Sequence, residues 1–141
     1  MDNMSIKSQI TINATPAKVW NVLTDPEKIL QYIGSQTITD WVAGSPITWE
    51  GEMQGMKFQN KGTVLENIFN ERHKFTYWSG MGGDVDEPGN YSEITYSLKP
   101  LNDRQTEFKY FREKIPTLIE KQIFEGHLQS MLEEIKRLSE G

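Results

Sequence analysis

The chain has 141 residues, enough for one domain that buries about two-thirds of its surface. Its 15 basic and 20 acidic residues leave a net charge of −5, which argues against general binding to nucleic acid or anionic membranes. With no cysteine there is no disulfide framework, thiolate metal site or Cys nucleophile, while aromatics are generous at 11% with four Trp. The N-terminal MDNMSIKSQ carries no apolar segment and no run approaches about 18 apolar residues, so a cytoplasmic protein without membrane insertion is expected.

Ile6, Ile10 and Ile12 share one parity against Lys7, Gln9 and Thr11, which gives a half-buried first strand. Thr15 before Pro16 is a helix start, with Val19, Trp20 and Leu23 as the inward face. Asp25 before Pro26 repeats that signal for a second short helix reaching Ile33. From Ser35 the pattern is β. Strand 36–42 is followed by a Gly44-Ser45-Pro46 turn and by strand 47–53, with Ile47, Trp49, Gly51 and Met53 on one face. After a turn at Gly55, strand 58–68 is ambiguous in parity, because Val64 and Ile68 compete with Leu65 and Phe69. Past Asn70-Glu71, His73, Phe75 and Tyr77 alternate against Lys74, Thr76 and Trp78. Residues 79–89 (SGMGGDVDEPG) form a long irregular loop, expected to be mobile and a candidate gate. Ile94, Tyr96 and Leu98 point inward from the sixth strand, and Thr106, Phe108, Tyr110 and Arg112 share one parity on the seventh.

Residues 116–139 have the helical period, with Phe124, Leu128, Met131, Ile135 and Leu138 on one side and Gln122, Glu125, Gln129, Glu133 and Lys136 on the other. Pro116 suits the first turn, Lys136 and Arg137 suit the last, and roughly 23 residues make a rod about 35 Å long. The order β-α-α-β-β-β-β-β-β-α predicts an α+β helix-grip fold in a single domain, 1–141. A strongly bent antiparallel sheet of about seven strands surrounds the long C-terminal helix, with two short helices after strand 1.

Trp49, Phe75, Tyr77, Tyr96, Phe108 and Tyr110 fall on inferred inner faces of neighbouring strands. Such a row is either plain core or the wall of a mostly apolar pocket with a few hydroxyl anchors. Glu120 and His127 interrupt the apolar face of the last helix near Phe124. Glu120 either points to water from the first turn or pairs with Arg112 at a pocket mouth, since a dry carboxylate needs a partner. His127 is read as a partly buried histidine or as a ligand contact. The two histidines show neither H-x-x-x-H nor H-x-E spacing, no G-x-S-x-G motif is present, and GMGG lacks the Lys-Ser/Thr of a phosphate loop. No metal, cofactor or catalytic set is therefore expected. Glu120, His127 and Arg112 are the groups that an enzymatic reading, as cyclase or hydrolase, would have to use.

The segment ATPAKVWNVLTDPEKILQY resembles the opening of the START-like (SRPBCC) superfamily. WVAGSPITWEG, KGTVLENI, HKFTYW and TYSLKPL, ending in an amphipathic helix, are similar to its branch of activator of heat-shock-protein ATPase homologues. The resemblance spans essentially the whole chain. It implies a cavity between sheet and long helix suited to one hydrophobic, lipid-like or polyketide-like molecule, and a binding protein rather than an enzyme. A heat-shock chaperone is the alternative partner that it implies. An interaction module of that kind would carry an exposed apolar patch, with Trp41 and Trp78 as the residues to inspect.

Overall fold

The computed structural model describes residues 4–79 and 85–141. Seven strands form one antiparallel sheet: β1 (Ile6–Ile12), β2 (Gln36–Ile38), β3 (Pro46–Met53), β4 (Met56–Ile68), β5 (Arg72–Ser79), β6 (Ser92–Asn102) and β7 (Gln105–Glu113). Their spatial order is β1-β7-β6-β5-β4-β3-β2, so hairpins join neighbours throughout and only β1 is carried across to the far side of its successors. The sheet is open, with β1 and β2 as its edges. Two short helices, α1 (Pro16–Thr24) and α2 (Pro26–Ile33), bridge β1 and β2, and α3 (Leu118–Glu140) closes the chain. This is the helix-grip arrangement. None of the described helices is long and apolar enough to cross a membrane.

Local chemistry sets the boundaries. The Thr15 hydroxyl accepts from the Lys18 N–H, the Asp25 carboxylate accepts from the Glu27 N–H, and each helix has its proline in the first turn. Gln54 and Gly55 both have positive φ (53° and 81°), as a two-residue hairpin between the paired Met53 and Met56 requires. At Gly62 an added Cβ would lie 1.8 Å from the Thr76 carbonyl oxygen, so only glycine lets β4 come this close to β5.

Three features differ from the sequence expectation. β2 ends at Ile38 instead of continuing to Val42, because the side chains of Thr39 and Asp40 accept from the Trp41 and Val42 N–H groups and turn the chain. The ambiguous parity of β4 is a β-bulge: Val64 pairs with Phe75 and Glu66 with Lys74, leaving Leu65 as the extra residue. Its inward residues are Asn60 and Val64, and Leu65, Ile68 and Phe69 are exposed. Finally, α3 starts at Leu118 with Thr117 as its cap, and Pro116 lies before the helix. Of the loop and candidate gate expected over 79–89, residues 80–84, with the GMGG segment, lie outside the described residues, while Ser79 ends β5 and Pro88–Asn90 form a short 3-10 turn.

The core runs beneath α1 and the second half of α3. Ile12, Val19, Leu23, Phe108, Leu132 and Ile135 are among its fully buried side chains. The end of α3 is tied to β1 by polar contacts: Lys136 Nζ donates to the Thr11 carbonyl (3.0 Å), and the Glu140 carboxylate accepts from the Asn13 N–H (2.7 Å). The α3 backbone approaches α1, α2 and β1 more closely than the central strands. That leaves space over the middle of the sheet.

Candidate functional site

The space is a partly open cavity of about 680 Å³. Its floor is built by inward positions of five strands: Trp49 of β3, Asn60 of β4, His73, Phe75 and Tyr77 of β5, Ile94 and Tyr96 of β6, and Tyr110 and Arg112 of β7. Phe124, His127 and Met131 of α3 form the roof, and Ile29, Tyr32 and Ile33 of α2 close one side. Strand alternation explains the floor, since residues two apart share a face.

Eight of the ten candidates from the sequence line this cavity together: Trp49, Phe75, Tyr77, Tyr96, Tyr110, Arg112, Phe124 and His127. Phe108 does not. It is fully buried behind Tyr96, with ring centroids 5.4 Å apart, and belongs to the core. Glu120 is not a lining residue either. Its N–H donates to Thr117 Oγ1 (3.1 Å) and its carboxylate accepts from the Thr117 hydroxyl (3.3 Å), so the segment T-L-I-E is a helix-capping signal. In place of the alternative pairing with Glu120, Arg112 donates to two neutral partners: Nε to Ser92 Oγ and Nη1 to Tyr110 Oη, each at 3.2 Å. The Arg112 guanidinium also lies 3.4 Å from the Phe124 ring centroid and 4.9 Å from that of Tyr77.

The floor contains polar groups that periodicity did not single out. His73 is 1% exposed, and neither ring nitrogen has a hydrogen-bond partner. Its ring is stacked between Trp41 (5.1 Å, 14°) and Tyr96 (5.1 Å, 28°), with Phe75 edge-on. Trp41 reaches this position with a φ of 63°, which a bulky side chain adopts at a cost, and Asn67 holds its carbonyl through a 2.7 Å hydrogen bond. Asn60 Nδ2 donates to Tyr77 Oη (2.9 Å), leaving Asn60 Oδ1 without a partner, as is Thr37 Oγ1. Together with Arg112 Nη2, most of the unpartnered buried polar side-chain atoms among the described residues belong to residues lining this one cavity. Inward-facing polar residues on strands were the available signal.

Arg112 and Glu134 bring charge to the cavity lining, while the His73 and tyrosine groups of the floor are held neutral. Burial lowers the His73 pKa to about 4, so the imidazole is uncharged at neutral pH. Burial raises the Tyr77 hydroxyl against an opposing pull from Arg112, and raises Tyr96 with a further contribution from Tyr110. Such a surface suits an apolar body with a small number of polar contacts. Among the described residues no group of three or more His, Asp or Glu side chains is arranged to hold a metal ion. Neither Trp expected on an exposed patch is fully exposed: Trp41 faces the cavity, and Trp78 stacks on Tyr91 (6.3 Å, 24°). Three exposed apolar side chains instead line the cavity: Ile33 from α2, Met53 from β3 and Ile123 from α3.

Comparison with solved structures returns the same architecture. A solution structure from Cytophaga hutchinsonii is 31% identical with a TM-score of 0.82, over 97% of this chain and 94% of that one. An HSP90 activator from Plasmodium falciparum is 18% identical with a TM-score of 0.74, over 96% and 95%. DynU16, from the dynemicin biosynthetic locus, is 13% identical with a TM-score of 0.76, over 96% of this chain and 47% of that one. No curated protein matches the sequence. The family model described as Activator of Hsp90 ATPase homolog 1-like protein matches residues 13–140, and the chain belongs to that family.

Proposed function

We propose that this protein binds one hydrophobic small molecule, lipid-like or polyketide-like, between the inner face of the sheet and the first half of α3, and that it acts as a carrier or sensor without catalysing a reaction. The observation that carries this reading is the cavity of about 680 Å³, a volume in the range of small-molecule sites, lined by aromatic rings and by residues whose buried polar atoms lack partners within the protein. A polar atom buried without a partner is costly, so native proteins keep few of them, and a ligand or ordered water that satisfies several at once lowers that cost. Against catalysis stands the state of the wall: a neutral His73 without a hydrogen-bonded nucleophile, and Tyr77 and Tyr96 hydroxyls pushed away from ionisation.

Native mass spectrometry of the protein purified from its own host tests the reading. A co-purified small-molecule mass is expected, and it should be lost in Thr37→Phe, which fills the cavity and removes an unpartnered hydroxyl. Protein that is empty under mild extraction and takes up no apolar probe would contradict it.

The second reading is regulation of a heat-shock chaperone ATPase. It is favoured by family membership, by the likeness to the Plasmodium activator and by the exposed apolar side chains Ile33, Met53 and Ile123 that line the cavity. Stimulation of a chaperone ATPase by the purified chain, weakened by Ile123→Ser, would support it. An unchanged rate at saturating chain concentration would remove it.

A further inference from the structure

We infer that the molecule held in this cavity carries a carboxylate, and that its carboxylate pairs with Arg112. This rests on the binding reading above and specifies its ligand class: an amphipathic acid with an apolar body and one anionic end.

Arg112 is a cation that is only 6% exposed, on the inward row of β7. Among the described residues, none of the ion pairs includes it. Its protein partners are the neutral oxygens of Ser92 and Tyr110, each at 3.2 Å, and Nη2 has none. The guanidinium carbon also lies 3.4 Å from the Phe124 ring centroid and 4.9 Å from that of Tyr77, two rings set nearly perpendicular to each other. What remains unpartnered is Nη2, on a side chain that lines the cavity. A buried cation is disfavoured without a counter-charge, and replacing it by an apolar side chain is often neutral or stabilising. Here the fold instead holds the guanidinium in a fixed plane. A planar fork held by two hydrogen bonds and flanked by aromatic rings matches a carboxylate better than a single hydroxyl or carbonyl oxygen.

The surroundings agree. Trp49, Phe75 and Ile94 offer an apolar bed along the same floor, so one molecule can place its body there and its charged end at Arg112. Phe124, which lies against the guanidinium, is only half-buried and sits on the exposed half of α3, so its ring has room to move aside for a ligand. Glu120 lies on the same helix end, and its charge acts on the Tyr77 hydroxyl. A carboxylate arriving at Arg112 therefore meets some repulsion from Glu120, which gives a second signature with the opposite sign.

The test is calorimetric titration of four probes: dodecanoate and dodecanamide, and 2-naphthylacetate and 2-naphthylacetamide. Each pair shares its apolar body, and the two bodies separate a fatty acid from an aromatic acid as the preferred source of the carboxylate. The wild-type protein should bind at least one carboxylate about ten- to a hundredfold more tightly than its amide, the range of a charge-assisted hydrogen bond. Arg112→Met should abolish that preference while amide binding persists, and Glu120→Gln should strengthen carboxylate binding alone. Equal affinity for acid and amide in the wild type, or a preference that survives in Arg112→Met, would overturn the inference and leave the binding reading standing. Failure of all four probes would overturn both. The wild-type ratio decides even where the variant does not fold.

Discussion

The two halves of α3 follow the same helical period and end in opposite states. In the second half, Leu128, Leu132, Ile135 and Ser139 are buried, and Leu132 is 1% exposed. In the first half, Leu118, Ile119 and Ile123 are exposed, Ile119 at 69%, and Phe124 is half-buried over the cavity. The difference lies in what each half faces. The second half closes the core and is pinned to β1 through Lys136 and Glu140. The first half spans the open space above Tyr77 and Arg112. A helix can be both clamp and pocket roof when its anchoring is concentrated at one end, because local stability follows the density of buried apolar contacts.

The largest way to break the comparison is in the clamp. Ile135→Ala should cost about 2–5 kcal/mol in urea unfolding, as a fully buried aliphatic side chain does when truncated. A loss as small as that from an exposed site would mean that the second half is not the anchor.

On the cavity side the corresponding lever is pH. Burial holds the His73 pKa at about 4 against an ordinary 6.5, so between these values the unfolded chain binds a proton that the folded chain does not. Its contribution is fully present above pH 6.5 and is lost as pH falls toward 4, roughly 3 kcal/mol in all. Unfolding of wild type and His73→Phe at pH 7 and 4.5 isolates it: the variant should lose less stability on acidification. Parallel pH profiles would contradict the buried, unpartnered imidazole.

Two smaller changes sharpen the contrast within the roof. Nothing lies within 4 Å of a Cβ added at Gly126, so Gly126→Ala should stabilise the protein by about 0.5–1 kcal/mol through helix propensity. By stiffening the roof it should also slow the exchange of a bound probe. Ile119→Ser should change stability by no more than about 0.5 kcal/mol, as expected of an exposed position.

Much of this layout was readable from the residues. The inward rows Ile47-Trp49, Ile94-Tyr96-Leu98 and Thr106-Phe108-Tyr110-Arg112 place both the core and most of the cavity floor, because strand parity is a strict period of two. Thr15 and Asp25 mark their helices for an equally local reason. Non-local features escaped. The bulge at Leu65 depends on how β4 meets β5, whereas the early end of β2 was a local turn at Thr39 and Asp40 that the β pattern around it concealed. Thr117 as the cap was local, but it was masked by the stronger signal of Pro116. Glu120, a break in the apolar pattern, proves to serve the cap. The importance of His73, Asn60 and Thr37 comes from the partners they lack, which is a property of the packed fold.

Hydrogen exchange along α3 tests the division of the helix most directly. In the free protein, amides of residues 122–127 should exchange at least an order of magnitude faster than those of 128–139, and a bound probe, dodecanoate or dodecanamide, should slow the first group selectively. Equal protection of both halves, or ligand protection confined to 128–139, would contradict the account.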